Sequence, residues 1–294
     1  MELYALVTAA RNEERYIEKT LKSVTSQTTL PCKWVIVSDG STDGTEEIVR
    51  RYATKFKFIH LLCRAKDSER DFASKVFALN AGMQLIGGES FEFVGHLDAD
   101  VSFKPDYFRD LFRKFQDDPA LGVAGGFIYE DVNGQFISRK GNRTSSVAGA
   151  VQMFRRECYQ EIGPFLPIQY GGEDWYAEVA ARMRGWRVES FPELEVRHHR
   201  PTGSVGGLLR SWYREGIMDY SIGSHPVFEF TKLTRRICYR PFLLGSLTRF
   251  TSFILASLRR EKRIVSPEFV SFLRKEEIGR LRAIGHRYLS GLED

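Results

Sequence analysis

The stretch FEFVGHLDAD, residues 91–100, runs from mostly apolar residues straight into a pair of aspartates. Residues 91–97 have the length and composition of a buried β-strand, which ends at Asp98. Side chains two positions apart on an extended backbone point the same way, so the carboxylates of Asp98 and Asp100 can face one site. Ligands of open α/β sheets bind beyond the carboxyl ends of the strands. Paired carboxylates there suit a divalent cation, Mg²⁺ or Mn²⁺, whereas a solvated loop rich in aspartate is the alternative interpretation.

Outward from this stretch, the chain alternates between short apolar segments and segments with helical periodicity up to about residue 200. The predicted elements are strands at 3–8, 34–38, 58–62 and 123–129 and helices at 13–27, 45–52, 73–85 and 174–184. Strands separated by helices at this spacing indicate an α/β fold with a twisted, mostly parallel sheet that is flanked by helices on both faces.

The charge distribution divides the chain into two parts. Of the 294 residues, 43% are apolar and 28% are charged, which excludes a disordered chain. The net charge is +5, yet residues 197–294 alone carry 18 basic and 9 acidic side chains, a net charge of +9. This pattern predicts a domain at 1–200 and a helical, basic extension at 201–294 that meets an anionic partner. The extension interleaves its charges with long aliphatic side chains rather than stacking aromatics, so no nucleic acid is expected.

One segment of the extension, residues 242–258, is predicted to form an amphipathic helix. Its apolar face consists of Leu243, Leu247, Phe250, Ile254 and Leu258. Arginines and lysines flank it on both sides within residues 235–263. Two interpretations remain open, a helix that lies in an anionic membrane interface and a helix that packs on the main domain with a solvated basic rim.

The start of the chain and its cysteines predict a location. The segment MELYALV at residues 1–7 reads directly as a strand and shows no signal peptide. The four cysteines form no metal-type spacing, which favours a reducing compartment. We therefore expect a cytoplasmic protein that lies peripherally on the inner face of the plasma membrane.

Two further motifs end in carboxylates beside glycines. The motif VIVSDGSTDGT at residues 35–45 reads as a strand, a turn and a helix start capped by Ser41 or Thr42, with Asp39 placed to accept hydrogen bonds from a base or a ribose. The motif GGEDW at residues 171–175 precedes a helix. Asp174 there is either a helix cap or a general base for a hydroxyl group.

Together these motifs resemble family 2 glycosyltransferases with the GT-A fold, a Rossmann-like fold that binds nucleotide sugars. The segments that carry the resemblance are TAARNEE at 8–14, SDGSTD at 38–43, KVFALN at 75–80, DAD at 98–100, GED at 172–174 and His198. They occur in the family's order and cover about the first 200 residues.

The resemblance implies a binding site for a nucleotide-sugar donor. In such enzymes the segment after the first strand and the aspartate of the second strand hold the nucleoside, which here implies Ala9, Arg11, Glu13 and Asp39. The lysine of the KxxALN segment, Lys75, would lie near the base or the diphosphate.

The resemblance also implies a metal site. Asp98 would reach the ribose or the metal, with Ala99 beside it in the donor site, and Asp100 would bind a Mn²⁺ or Mg²⁺ ion that bridges the diphosphate. His198 fits the place of a further ligand, with His199 as its competitor.

Asp174 would be the general base, supported by Glu173. The chain departs from the family's frequent pattern where Ala9 replaces a proline and Ser38 replaces a second aspartate. It has no QxxRW motif, so a non-processive enzyme is expected rather than a cellulose-synthase type.

The predicted activity is metal-dependent, inverting transfer of a sugar from a nucleotide-linked donor, expected to be UDP-linked. The expected acceptor is a hydroxyl of a glycan or lipid-linked molecule in the synthesis of cell-surface polysaccharide or glycolipid. A sugar-1-phosphate nucleotidyltransferase is one alternative, but it would need a glycine-rich loop where residues 8–12 have no glycine. A catalytically inactive glycan-binding module is the other, and the presence of both Asp100 and Asp174 argues against it.

Overall fold

A computed structural model describes residues 3–65, 72–88, 90–168, 170–200, 207–238 and 241–290 of the chain, without the side chains of Phe72 and of residues 284–290. The strands are β1 (Tyr4–Ala10), β2 (Lys33–Asp39), β3 (Ile59–Arg64), β4 (Phe93–Leu97), β5 (Val101–Phe103), β6 (Leu121–Val132), β7 (Gln135–Ser138), β8 (Val151–Arg155) and β9 (Arg187–His198). The helices are α1 (Ile17–Thr25), α2 (Thr45–Lys55), α3 (Phe72–Ile86), α4 (Tyr107–Asp117), α5 (Arg156–Ile162), α6 (Glu173–Met183), α7 (Leu208–Ser221), α8 (Pro226–Arg235), α9 (Leu244–Leu258) and α10 (Pro267–Ser290).

The strands form one mixed sheet in the order β3-β2-β1-β4-β8-β6-β9-β5, and β7 pairs with β6. The strands β3, β2, β1 and β4 are mutually parallel, with helices as their crossovers. Beyond β4 the sheet continues through antiparallel β8, and β6 pairs in parallel with β9. The predicted α/β architecture is therefore confirmed, and the carboxyl ends of β1, β2 and β4 share one edge of the sheet.

Aromatic side chains fill the core between the sheet and α4. The buried positions of α4 recur at helical spacing and form one face, Tyr107, Phe108, Leu111, Phe112 and Phe115. The ring of Tyr4 in β1 lies 4.9 Å from the rings of both Phe108 and Phe112. This packing fixes the sheet whose edge carries the motif residues.

Gly82 allows α3 to lie directly against the sheet. A Cβ at this position would lie 2.5 Å from Cγ1 of Val7 and 3.1 Å from Cγ2 of Val37, so a larger residue would push the helix away. Lys75 lies seven residues earlier, on the same face of the helix. The close approach of α3 thus directs Lys75 toward the sheet.

The chain divides into two compact units. Unit 1 comprises Met1–Pro167 and Glu173–Thr202, and unit 2 comprises Ile168–Gly172 and Gly203–Asp294. Within the described ranges, no helix combines the length and the apolar content that a bilayer crossing requires.

In unit 2, α7 and α9 pack closely. A Cβ on Gly216 of α7 would lie 2.0 Å from the carbonyl oxygen of Arg249 in α9, so only glycine permits this approach. The inward face of α9 is formed by Gly245, Ser246, Arg249, Ser252, Phe253 and Ala256.

The apolar face predicted for 242–258 is only partly exposed. Leu247 and Leu258 are exposed, whereas Phe250 and Ile254 are half-buried, and the Phe250 ring packs 6.0 Å from that of Phe230. The exposed stripe is rotated toward Leu255, because the small and polar residues of α9 face α7.

Candidate active site

The two aspartates of the DAD motif lie in a turn between β4 and β5. The Thr20 hydroxyl of α1 makes 2.8 Å contacts with the carbonyl oxygens of Ala99 and Val101 and accepts a hydrogen bond from the Val101 N–H. The Ala99 side chain is buried in the core, and its predicted place in the donor site stays a prediction. The turn leaves Asp98 half-buried and Asp100 buried beside it.

Asp98, Asp100 and His198 form a group that could hold a metal ion. One ligand atom from each lies within 4.8 Å of the other two. The antiparallel pairing of β5 with β9 brings His198 opposite Val101, and its Nε2 lies 3.1 Å from Oδ1 of Asp100. Two carboxylates and an imidazole are a donor set that Mn²⁺ accepts, so the residues fit the predicted ion.

His199, the alternative to His198 as the predicted metal ligand, contacts other side chains. Its ring lies 2.8 Å from the Ser102 hydroxyl and 3.4 Å from the Lys19 ammonium. Burial and the positive charge of Lys19 lower the pKa of His199 to about 4. His198, not His199, therefore completes the group.

Arg200 belongs to this cluster, although the sequence pattern did not indicate it. Its Nε lies 3.2 Å from Oδ2 of Asp100, and its Nη2 forms an ion pair with the carboxylate of Glu13. Burial raises the pKa of Glu13, and Arg200 opposes that effect. Burial also acts to raise the pKa of Asp100, but His198 and Arg200 together hold it below its usual value. Asp100 therefore stays charged at neutral pH.

Lys75 joins the metal group to the GED motif. Its Nζ lies 2.8 Å from Oδ1 of Asp98 and 3.5 Å from Oε1 of Glu173. Burial alone would lower the pKa of Lys75, but the two carboxylates raise it, so the ammonium stays charged. Glu173 is buried, and burial raises its pKa against the opposing charge of Lys75.

Asp174 lies in the first turn of α6, with each carboxylate oxygen held by one backbone N–H. Oδ2 accepts from the Gly149 N–H at 3.1 Å and Oδ1 accepts from the Trp175 N–H at 2.8 Å. A Cβ on Gly149 would lie 2.8 Å from Oδ2, so glycine is required for this approach. Each carboxylate oxygen has a second lone pair, which leaves room for a hydroxyl donor.

A cavity of about 140 Å³ within unit 1 adjoins Asp174. Its lining residues include Arg139, Asn142, Arg143, Asp174, Trp175 and Glu178. The indole of Trp175 is covered on one side by the guanidinium of Arg182, 5.3 Å from the ring centre. A cavity with an aromatic ring and several hydrogen-bonding groups is suited to a polar small molecule such as a sugar.

Glu178 holds the backbone that positions Asp174. Its Oε1 accepts hydrogen bonds of 2.9 Å from the Ser146 hydroxyl and the Val147 N–H, while Arg182 lies 3.3 Å from Oε2. Burial raises the pKa of Glu178 to about 7. The sequence analysis missed Glu178 and Gly149. The position of Glu178, four residues after Asp174 on the same helix face, was a signal that could have pointed to it.

The predicted nucleoside residues lie at the ends of β1 and β2. Asp39 faces two arginines, with its oxygens 4.0 Å from Nη1 of Arg11 and 3.4 Å from Nη1 of Arg64. Ala9 is half-buried at the end of β1. The Ser38 side chain is buried and donates to Glu46 at 2.8 Å, so the departure from the family pattern at Ser38 affects packing rather than this surface. Among the residues predicted to bind the nucleotide-sugar donor, Glu13 lies near the metal group, because Arg200 forms ion pairs with both Glu13 and Asp100.

Residues 5–178 match the profile described as glycosyl transferase family 2, and the chain belongs to this family. It is 24% identical over 245 residues to the poly-beta-1,6-N-acetyl-D-glucosamine synthase of Staphylococcus aureus (strain COL), covering 77% of this chain and 56% of that relative.

Two solved structures share the fold. One is the mannosyltransferase PcManGT from Pyrobaculum calidifontis in complex with GDP-Man and Mn²⁺, with a TM-score of 0.58 and 17% identity over 88% of each chain. The other is S. aureus TarS 1–349 in complex with UDP-GlcNAc, with a TM-score of 0.52 and 16% identity over 93% of this chain and 80% of that one. The GT-A fold is thus confirmed, and the protein is a glycosyltransferase, which sets aside the nucleotidyltransferase and inactive-module alternatives.

Proposed function

We propose that the protein transfers one sugar per encounter, with inversion, from a UDP-linked donor to a hydroxyl of a glycan or lipid-linked acceptor, with Mn²⁺ or Mg²⁺ as cofactor. The observation that carries the proposal is the junction at Lys75. The Lys75 ammonium contacts Asp98 of the metal group and also Glu173, the neighbour of Asp174. The proposed donor site and the proposed base are therefore linked by one lysine.

Asp98, Asp100 and His198 would hold the cation. When bound, a divalent ion offsets the negative charge that builds on the leaving diphosphate. Lys75 and Arg200 keep positive charge beside the same carboxylates and are placed to act on the diphosphate as well. Mn²⁺ is supported by the P. calidifontis structure, which contains it.

Asp174 would accept the proton of the acceptor hydroxyl. The Gly149 and Trp175 N–H groups hold its carboxylate in place, and the adjoining cavity offers space for the acceptor sugar. A positioned base of this kind contributes about 10²- to 10⁴-fold to the rate. Because the hydroxyl attacks the face opposite the leaving group, the anomeric centre inverts and no covalent enzyme intermediate is needed.

The nucleoside would lie against Ala9, Arg11, Glu13 and Asp39. Asp39, at the carboxyl end of β2, can accept hydrogen bonds from a base or ribose. The TarS structure contains UDP-GlcNAc and the P. calidifontis structure contains GDP-Man, so UDP- and GDP-linked donors are compared in the test below.

The acceptor is proposed to be a polysaccharide or lipid-linked glycan at the inner face of the plasma membrane. The S. aureus relative is named as a polysaccharide synthase, and the C-terminal part of this chain carries the net charge of +9. A basic surface attracts the anionic lipids of the cytoplasmic leaflet.

The test is a panel of UDP- and GDP-linked sugars, assayed for release of the nucleoside diphosphate with Mn²⁺, with Mg²⁺ and with EDTA. We expect UDP release from at least one donor, restored by either metal after EDTA treatment. Undiminished release in EDTA would contradict metal dependence, and release of GDP alone would contradict the choice of UDP.

A further inference from the structure

Helices α8 and α9 of unit 2 expose an apolar surface, here called the leucine face. On α9 it consists of Leu244, Leu247, Leu255 and Leu258, and on α8 of Val227 and Phe230. The α9 positions, with Thr251 between them, follow at intervals of three and four residues and so form one continuous stripe. The exposed fraction reaches 75% at Leu258 and 53% at Phe230, so these side chains have large areas in contact with solvent.

The opposite side of the same helices buries charges. Arg249 of α9 donates from Nε to Oδ2 of Asp219 in α7 at 2.8 Å. Lys232 of α8 lies 3.1 Å from Oδ1 of Asp219 and 2.6 Å from Oε1 of Glu229. The side chains of Asp219 and Glu229 are 3% and 1% exposed. Charged side chains are rarely buried unless they are paired, and here a paired cluster lies on the inward side of the helices while the leucine face lies on the outward side.

Basic side chains border the leucine face. Arg259, Arg260 and Lys262 follow α9 directly and are exposed, and Arg235 at the end of α8 is exposed as well. Residues 235–263 contain eight basic residues, of which Arg249 is buried on the opposite side, and one acidic residue, Glu261. An apolar stripe with a cationic border complements the headgroups and upper acyl chains of an anionic bilayer.

We infer that the leucine face is a lipid-binding surface, with α9 lying in the plane of an anionic membrane and its leucines inserted below the headgroups. The inference rests on the proposed membrane location and names the residues that make the contact. A second copy of the chain is a poorer occupant, because two such faces would bring their cationic borders together. Insertion would remove the leucines from water while the buried charges stay paired inside the unit.

The test is flotation of the full chain with vesicles of phosphatidylcholine alone or with 30% phosphatidylglycerol. The double variant Leu247→Gln/Leu258→Gln changes two exposed side chains of the leucine face. Its matched control, Leu85→Gln/Ile137→Gln, changes two side chains of unit 1 that are 48% and 52% exposed. Circular dichroism and thermal unfolding establish that each variant folds.

We expect the wild type and the control to float with anionic vesicles and the leucine variant to lose at least about 10-fold in affinity. Arg259→Ser/Arg260→Ser should lose about 5-fold per arginine on anionic vesicles, and added salt should release the wild type. No flotation of the wild type at low salt would overturn the inference. So would a dimer in sedimentation that the leucine variant abolishes without any vesicle binding.

Release of UDP from the free donor is measured on the same variants in solution. Leucine variants that release UDP normally but do not float would support the lipid surface alone. A wild type that floats but releases no nucleotide would leave the lipid surface in place and contradict the proposed function.

Discussion

The two units place their charged clusters differently. In unit 1, apolar side chains such as Trp34 and Phe112 fill the core, and charged groups gather at the edge of the sheet, where Asp100 meets His198 and Arg200. In unit 2, the charges of α7, α8 and α9 lie inside, while leucines lie outside. Burying an ion costs several kcal/mol, and leaving a leucine exposed forgoes about 1.5–3 kcal/mol. The comparison shows that unit 1 gathers charges at the predicted site, whereas unit 2 pairs its charges inside and exposes the leucine face.

The largest effect should follow the loss of Asp100. Asp100→Ala removes the carboxylate shared by the metal group and Arg200, so we expect no measurable transfer and a weaker affinity for UDP in Mn²⁺. Titration calorimetry with and without Mn²⁺ measures the affinity. Vesicle binding should be unchanged, because the variant acts on unit 1 alone.

The matched control is Asp110→Ala, which removes an exposed carboxylate of α4 that pairs with arginines on the surface. Transfer by Asp110→Ala should equal that of the wild type. Equal losses in the two variants would mean that the effect comes from net charge rather than from the metal group.

The next largest effect concerns the interior of unit 2. Arg249→Leu leaves Asp219 and Glu229 buried without this partner, so the free energy of unfolding should fall by about 3–5 kcal/mol. Urea unfolding followed by circular dichroism measures it.

Arg280→Leu, which breaks a more exposed pair with Glu276, is the control and should cost less than about 1 kcal/mol. If Arg249→Leu is as stable as the control, the buried charges do not hold unit 2 together, and the contrast between the units fails.

A smaller effect depends on pH and concerns Glu178. Its pKa is raised from 4.5 to about 7 in the folded protein. Between these values the unfolded chain has released a proton that the folded protein still holds, so the free energy of unfolding falls as pH rises through this window. Glutamine does not titrate, so Glu178→Gln should not lose stability in this way. The free energy of unfolding of the variant minus that of the wild type should therefore rise by about 1–3 kcal/mol between pH 5 and pH 8. Thermal unfolding of both proteins at several pH values checks this.

The smallest effect tests the support of Asp174. Gly149→Ala brings a methyl group against the Asp174 carboxylate and should lower turnover by about 10-fold, because small displacements of a catalytic group are costly. The control is Gly88→Ala, where a Cβ would meet no atom within 4 Å, and its turnover in the same steady-state assay should equal that of the wild type. Equal turnover in both variants would show that Asp174 does not depend on this contact.

The regular part of the fold could be predicted because local patterns determine it. The apolar runs before Asp39 and Asp98 are strands β2 and β4, and the predicted helix at 73–85 is α3 at Phe72–Ile86. The strands β5, β7, β8 and β9 and the helices α5 and α8 were not predicted. A three-residue strand such as Val101–Phe103 has no period of its own and forms only because β9 pairs with it.

The site could be predicted only where a motif places its own residues side by side. Asp98 and Asp100 share a turn, and His198 was placed by the resemblance alone. Arg200 and Glu178 were missed because their roles arise from contacts with segments far away in the chain, Glu13 after β1 and residues 146–147. Amphipathic periodicity located α9, but it could not show which face points inward, since that depends on the partner Asp219 in α7.

The most direct test of the catalytic account is the turnover of Asp174→Asn, measured together with its donor affinity and thermal stability. Asparagine keeps the size and shape but cannot take a proton, and its one carbonyl oxygen can accept either the Gly149 or the Trp175 hydrogen bond. The thermal stability therefore separates the effect of the lost hydrogen bond from the effect of the lost base. The account predicts a stable protein with nearly unchanged donor affinity and transfer reduced by at least about 10²-fold, while Glu173→Gln loses less. A stable, donor-binding Asp174→Asn protein with wild-type turnover would contradict Asp174 as the base and leave it as a helix cap.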